Sequence, residues 1–404
     1  MGAKNGHVDH VTASATAVTT SASAQLRAAL GRFIFADTII RVVSIARQLT
    51  KSFTGSWLNL LLVVAPISWY LALTHDTSLW LFVAAAVSLI PAAGLIGEAT
   101  EELANRSGPT LGGFLNATFG NAAELIIAVV ALRAHHVEVV KASITGSIIG
   151  NLLLVFGASC YYGGIKHGTQ QFSRVAAGSA TVMLALAVAA LVMPATVDLF
   201  AFGSLDAQPE ILQRLSFWTS FVLLGVYAAG LLFAFRTNKD PLRPSAHHAP
   251  KLSRASAILL LLIGTALTTV QAEILIQGLE PALASFGMTE LFAGVIVVAL
   301  VGNAAEHYSA IAAAGRNDMT LALEISIGSS AQIALMVAPL LVILGPMLGQ
   351  PMALVFNAFE LAAIGLSVAT VALVAMDGES NWLEGLQLLA LYVILAAAFY
   401  VIPE

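Results

Sequence analysis

Eleven apolar runs, each about 20 residues or longer, follow one another along this chain, and that length lets an α-helix cross a bilayer's hydrocarbon. They lie at roughly 56–73, 78–100, 112–133, 138–163, 175–197, 216–235, 256–277, 291–313, 321–345, 351–375 and 384–402. What remains cannot make a water-facing surface. Of 404 residues, 58% are hydrophobic and 10% charged, where a soluble domain carries about 25% charge. Lipid must cover most of such a chain, and the expected fold class is an all-α polytopic membrane protein with about eleven transmembrane helices. A net charge of −5 offers no basic face to nucleic acid. The single cysteine, Cys160, excludes an intramolecular disulfide and a Cys-based zinc site, and in its apolar run it reads as a packed residue.

The ends and the middle of the chain look different. Residues 1–24 read as a disordered tail, rich in Ala, Ser, Thr and Val, without period or aromatics. Nothing in it has the apolar stretch of a secretory signal. Residues 25–55 mix Arg27, Arg32, Arg41, Arg47 and Lys51 with Phe33, Ile34, Phe35, Ile39, Ile40, Val42, Val43 and Ile45. Two readings stand for them: a cationic helix lying on the membrane surface, or an extra helix packed on the cytoplasmic side. The first span follows within 56–77. Residues 237–252, TNKDPLRPSAHHAPKL, form a linker between two halves, 78–236 and 253–404, and its paired His247 and His248 read as part of a flexible segment. With the amino terminus in the cytoplasm, 15 of the 18 Lys and Arg residues fall on the cytoplasmic side, leaving Arg133, Lys141 and Arg214 outside.

The halves share motifs at one offset. Shifting by 182 residues lays Gly120-Asn121-Ala122-Ala123-Glu124 on Gly302-Asn303-Ala304-Ala305-Glu306, and Gly146-Ser147 on Gly328-Ser329. Two matches at one offset point to an internal duplication. Each unit then holds five spans. Because five is odd, the second copy enters the membrane from the opposite face, giving two inverted five-helix repeats plus one extra N-terminal span. In transporters built this way the substrate site lies near the midplane between the copies.

Glu124 and Glu306 sit deep in apolar runs, where a lone charge costs about 2.5–3.5 kcal/mol on insertion scales. No Lys or Arg lies inside a core span to pair with them. The repeat axis would bring the two acids together, and carboxylates about 5 Å apart repel by roughly 3 kcal/mol at an effective dielectric near 20. Both stay ionised only with a cation between them; otherwise protons must supply the charge. Such a site binds a cation as protons leave and releases it as they return. Asn121 and Asn303, three residues before each acid, add amide oxygens, and Gly120 and Gly302 could open the helix and present backbone carbonyls, the oxygen set a hard cation such as calcium prefers. Ser147 and Asn151 share one face of the fourth span, and Ser329 and Gln332 one face of the ninth. Either they complete the site or they pack small residues with hydrogen bonds across the helices. His307 follows Glu306 on another face; it relays protons or tunes the site, or it is simply packed. Glu98, Glu101 and Glu102 end the second span, and Glu273 lies within the seventh. No clustered Cys/His set suggests a soft metal.

At these residues the chain resembles the calcium/proton exchanger family of the calcium/cation antiporter superfamily. The likeness rests on TEELANRSGPTLGGFLNATFGNAAELIIA at 100–128, GSIIGNLLLVFG at 146–157, AEILIQGLE at 272–280, GNAAEHYSAI at 302–311 and GSSAQIAL at 328–335. It implies that Glu124 and Glu306 bind calcium and protons alternately, aided by carbonyls near Gly120 and Gly302. It also implies that Glu101 and Glu273 line the cytoplasmic approach, and that the first span and its counterpart slide against a core. The expected partners are calcium, protons and the lipid bilayer, with no cofactor. Where many relatives carry an acidic stretch between the halves, the linker here has one acid, Asp240.

Three other readings compete. A sodium/calcium exchanger would carry a Pro- and hydroxyl-containing motif around the glutamate, and GNAAE has neither. A cation channel also uses carboxylate rings. An intramembrane protease or hydrolase would need HExxH or G-x-S-x-G, and neither occurs. The compact loops suit a bacterial plasma membrane, with a vacuolar membrane as the alternative.

Overall fold

The computed structural model describes residues 42–75, 78–202, 209–236 and 251–402. The tail at 1–24, the cationic stretch through 41 and linker residues 237–250 lie outside the described residues. Two compact units divide at Thr54. The first contains helix α1 (Val42–Gly55), with Val42, Val43, Arg47 and Lys51 exposed along it.

The second unit is a helical assembly. α2 (Trp57–Leu73) starts as a tight 3-10 run to Val64, capped by Ser56. Then come α3 (Leu79–Arg106), α4 (Gly108–Phe119), α5 (Ala122–Arg133), α6 (Val137–His167), α7 (Arg174–Phe202) and α8 (Pro209–Arg236). Across the linker follow α9 (Arg254–Gln277), α10 (Leu279–Phe286), α11 (Glu290–Gly302), α12 (Ala304–Gly315), α13 (Met319–Met347), α14 (Ala358–Val374) and α15 (Trp382–Val401). The strands β1 (Gln170–Gln171) and β2 (Glu379–Ser380) pair antiparallel. Among the described residues, seven helices are long and apolar enough to cross a membrane, or up to nine if each bent helix pair counts as one span. Val63, Trp80, Trp218, Val222, Leu373 and Val393 are exposed on the outside, an apolar surface that a bilayer, not water, must cover.

The elements follow the expected runs with two physical differences. The third and eighth runs are each two helices broken in the middle. The tenth begins seven residues late: 351–357 is not helical, because Pro351 leads a stretch that ends in a capping box, Asn357 with Glu360.

α3 and α9 run antiparallel along each other. Gly278 lies against Phe82 and Gly264 against Ile96 and Leu95. The Glu102 carboxylate accepts from the backbone N–H of Lys251 (2.9 Å) and Leu252 (3.0 Å), tying the two helices together at one end. α2 packs beside this pair, with Ser68 Oγ donating to Gln271 Oε1 at 2.9 Å.

The remaining contacts come in matched sets. α5 packs on α9 and α12 on α3; α15 packs on α6 and α8 on α13; α14 touches α6, and α7 touches α13. One set is unmatched. α11 crosses α6 so closely that a Cβ on Gly146 would sit 1.9 Å from Val295 O, and one on Gly294 would sit 2.5 Å from Ala142 Cβ. At its outer end His136 Nδ1 meets Glu290 Oε1 at 2.9 Å. The counterpart of α11 in the first half, α4, leans instead on α3, Gly112 against the Ala104 carbonyl, and more lightly on α8. Its Leu111 and Phe114 are left exposed.

Candidate ion-binding centre

Both GNAAE motifs form helix breaks. Asn121 (φ −102°, ψ 25°) and Asn303 (φ −94°, ψ 7°) leave the helical region and cap α5 and α12. Gly120 keeps helical angles, so the break falls on the asparagine and not on the glycine, as the sequence had suggested. Each break puts Glu124 or Glu306 in the first turn of a new helix, where unpaired N–H groups and the helix dipole favour negative charge. The last turns of the preceding helices lose their onward partners, which frees carbonyls for a ligand.

The breaks lie back to back in the core. A Cβ on Gly302 would touch Ile127 Cδ1 at 3.4 Å and Glu124 Cγ at 3.9 Å. The two carboxylates are near enough to repel each other. Around them runs a buried polar network drawn from α6 and α13. Asn303 Nδ2 donates to Ser147 Oγ (2.9 Å) and to Ala299 O (2.8 Å). Asn151 Nδ2 donates to Asn303 Oδ1 (3.2 Å) and Ser329 Oγ (3.1 Å). Asn121 Nδ2 donates to Gln332 Oε1 in a short bond. Ser329 Oγ lies 3.0 Å from Glu306 Oε2 and 3.3 Å from Asn121 Oδ1. A hydroxyl has one proton, and the shorter, charge-assisted bond to Glu306 takes it.

Each asparagine thus meets the serine of the other half: Asn303 with Ser147, Asn121 with Ser329. Asn151 and Gln332 play matching parts one residue out of the 182 offset. The backbone there is wound wide, with π-helical turns at Gly150–Val155, Ala293–Val298, Glu324–Gly328 and Ile333–Val337, a deviation frequent at functional sites.

Two buried oxygens in this network have no partner: Glu124 Oε2 and Asn151 Oδ1. Both are acceptors, and a buried acceptor left unmade costs about 1–3 kcal/mol, more when charged. A proton or a cation would satisfy them. The donor set is carboxylate, amide and hydroxyl oxygen, which suits a hard cation. Among the described residues no group of three or more His, Cys, Asp or Glu side chains is placed to hold a metal ion, so two carboxylates and neutral oxygens are what the centre offers.

Of the other expected residues, His307 borders the centre and Glu101 and Glu273 lie apart from it. His307 lines a cleft with Gly146, Ser147, Gly150, Leu154, Ala299, Leu300, Asn303 and Tyr392, on another face from Glu306. Glu101 is exposed at the Arg106 end of α3. Glu273 is exposed toward the Gln277 end of α9. Because α3 and α9 are antiparallel, these two acids sit toward opposite ends of the pair. They do not line one approach. Unforeseen from the motifs were the Glu102 tie and the bond from Thr145 to Glu360 on α14, although the Asn-x-x-Glu capping pattern at 357–360 was legible.

Two broken helices meeting at a buried, acid-bearing polar centre, inside a lipid-facing helical body, define the class of a membrane cation exchanger. Sequence comparison agrees: the chain belongs to the sodium/calcium exchanger protein family, which matches residues 77–236 and 256–401. It is 43% identical over 364 residues to a Ca(2+)/H(+) antiporter of Aphanothece halophytica, covering 85% of this chain and 97% of that one. It is 38% identical to the vacuolar calcium ion transporter of Schizosaccharomyces pombe, over 89% and 91%. The solved structure of native YfkE superposes with TM-score 0.75 at 38% identity, over 86% of this chain and all of that one. An H+/Ca2+ exchanger structure at 14% identity, TM-score 0.67, shares the fold.

Proposed function

We propose that this chain is a secondary active antiporter that exchanges calcium for protons across a membrane by alternating access, with Glu124 and Glu306 holding cation and protons in turn. The observation that carries the residue assignment is the buried Glu124 Oε2 with no hydrogen-bond partner, beside a second carboxylate and no basic residue. The exchange itself follows the antiporters to which the chain is similar over most of its length. Calcium arriving between the carboxylates cancels their repulsion, and protons restore neutrality when it leaves. Asn121, Asn303 and carbonyls at the breaks would complete the oxygen shell.

In this reading eleven spans form one N-terminal helix and two inverted repeats, α3–α8 and α9–α15, each broken helix pair counting as one span. The matched helix contacts support it. The bias of the basic residues supports a cytoplasmic side for Arg106 and the linker; in that orientation the α4 side faces inward and the tightly crossed α11 side faces outward. The close contact that is not made among the described residues, α4 on α13, then lies on the cytoplasmic side. The membrane we assign is a bacterial plasma membrane; cell fractionation separates that from a vacuolar one.

The test is calcium uptake into proteoliposomes driven by an imposed pH gradient, with and without sodium. The parent protein should respond to the pH gradient and ignore sodium. Glu124→Gln and Glu306→Gln should each fall to near background, and the double variant should be little worse, because the two acids share one ion. Parent-like uptake by folded Glu124→Gln would overturn the central-site assignment.

A further inference from the structure

We propose that Glu360 is a positioning residue for the central site: through Thr145 it fixes α6 in the register at which Ser147 holds Asn303. The proposal rests on the reading that the centre is the ion site.

Glu360 is 2% exposed, near the start of α14. One carboxylate oxygen closes the local capping box, Oε2 accepting from Asn357 N at 3.0 Å. The other leaves its own helix: Oε1 accepts from Thr145 Oγ1 on α6 at 2.8 Å. That use of a threonine is unusual here. Thr100, Thr118, Thr196, Thr269 and Thr370 each turn their hydroxyl back to the carbonyl four residues earlier in the same helix. Thr145 gives its one proton to another helix instead. The nearby cation on α6, Lys141, is bonded to Glu138 at 2.7 Å, so the hydroxyl is the hydrogen-bonded link between the two helices at this level.

Three successive residues of α6 then meet three different neighbours. Thr145 reaches Glu360, Gly146 lies against the Val295 backbone, and Ser147 Oγ accepts from Asn303 Nδ2 at 2.9 Å. A slip of α6 that broke the first contact would displace the third. The strut joins the two halves and has no repeat mate. At the 182 offset, Thr145 answers to Ile327 and Glu360 to Gly178, which can form no such bond. The molecule also supplies a control: Asn381 and Glu384 form the same capping box at α15, without a cross-helix bond from Glu384.

The experiment measures the half-saturating calcium concentration and the maximal rate in proteoliposomes. Glu360→Ala and Thr145→Val should each raise the half-saturating concentration about three- to ten-fold, the effect of one lost hydrogen bond, with maximal rate little changed. The double variant should match the singles. Thr145→Ser should restore parent affinity, and Glu384→Ala should keep it. If Glu360→Ala does not fold, the Thr145 pair carries the test. Unchanged affinity in Thr145→Val, or additive effects in the double variant, would overturn the proposal while parent uptake left the exchange reading intact. Failure of the parent to take up calcium would instead overturn the reading on which it rests.

Discussion

Changing Gly146 to alanine adds one methyl group where the structure has no room for it. The new Cβ would lie 1.9 Å from Val295 O, 2.5 Å from Val295 C and 2.6 Å from Val295 Cα. These are backbone atoms of a packed helix and cannot rotate away. Ordinary contact begins at 3.4 Å, so α6 and α11 must part by about 1.5 Å (3.4 less 1.9). Ser147 is the next residue, and its bond to Asn303 is 2.9 Å long. The same displacement along that bond would take it beyond 4 Å, and the bond would break. Overpacking of this kind costs about 1–3 kcal/mol, and the lost hydrogen bond adds about 0.5–1.5 kcal/mol. Together they amount to roughly 2–4 kcal/mol, or about 30- to 1,000-fold in the population of the described arrangement. Gly150, one turn further along the same helix, has nothing within 4 Å of its would-be Cβ. Gly150→Ala should be neutral or gain up to about 1 kcal/mol of helix propensity. The assay is proton-driven calcium uptake, with the melting temperature of purified protein alongside. Gly146→Ala should lose both, and Gly150→Ala neither. A folded Gly146→Ala protein with parental melting temperature and uptake would refute the close-crossing argument.

Two further substitutions probe the two halves against each other. Asn303→Ala removes bonds to Ser147, Ala299 O and Asn151, whereas Asn121→Ala removes the bond to Gln332. Both should weaken calcium affinity without abolishing exchange, Asn303→Ala by about ten-fold and Asn121→Ala by less, on the scale of one to two hydrogen bonds; calcium titration of uptake rates measures the order, and the reverse order would contradict the network. Gly328, the repeat mate of Gly146, has open space around it, so Gly328→Ala should leave the melting temperature intact. If the opposite state uses the matching contact, with α4 on α13, this variant should still slow turnover several-fold.

Much of this architecture was legible because it follows from local chemistry. Apolar runs of spanning length gave the helices, and the shared offset of GNAAE and Gly-Ser gave the pairing of the halves. The same offset pointed to Asn121, Glu124, Ser147, Asn303, Glu306 and Ser329, and shared helix faces added Asn151 and Gln332; all eight belong to one region. The helix breaks were harder to place. Glycine looked like the hinge, but the asparagine takes the non-helical angles, since its side chain is held by the opposing helices and its neighbours supply the caps. Glu273 was misplaced for another reason. A linear motif says which residues accompany each other, while the antiparallel run of α9 along α3 decides at which end they sit.

The departure from symmetry was not legible at all. Two copies of one motif predict two equal crossings, yet α11 is locked onto α6 while α4 rests on α3. Close packing is a nearly all-or-none contact: at 1.5 Å of separation most of the dispersion energy is gone, so a crossing is either made or released. If both crossings closed, the centre would be sealed from both sides; if both opened, calcium and protons would leak. An exchanger therefore needs one made and one released, and residues outside the repeat can bias which. His136 with Glu290 and Thr145 with Glu360 are unrepeated contacts of this kind. At the 182 offset they answer to Asp318, Gly108, Ile327 and Gly178, none of which can rebuild the bonds on the other side. Under the proposed exchange, the motif copies would supply the common ion site, and the unrepeated polar pairs would be where the two sides of the molecule differ.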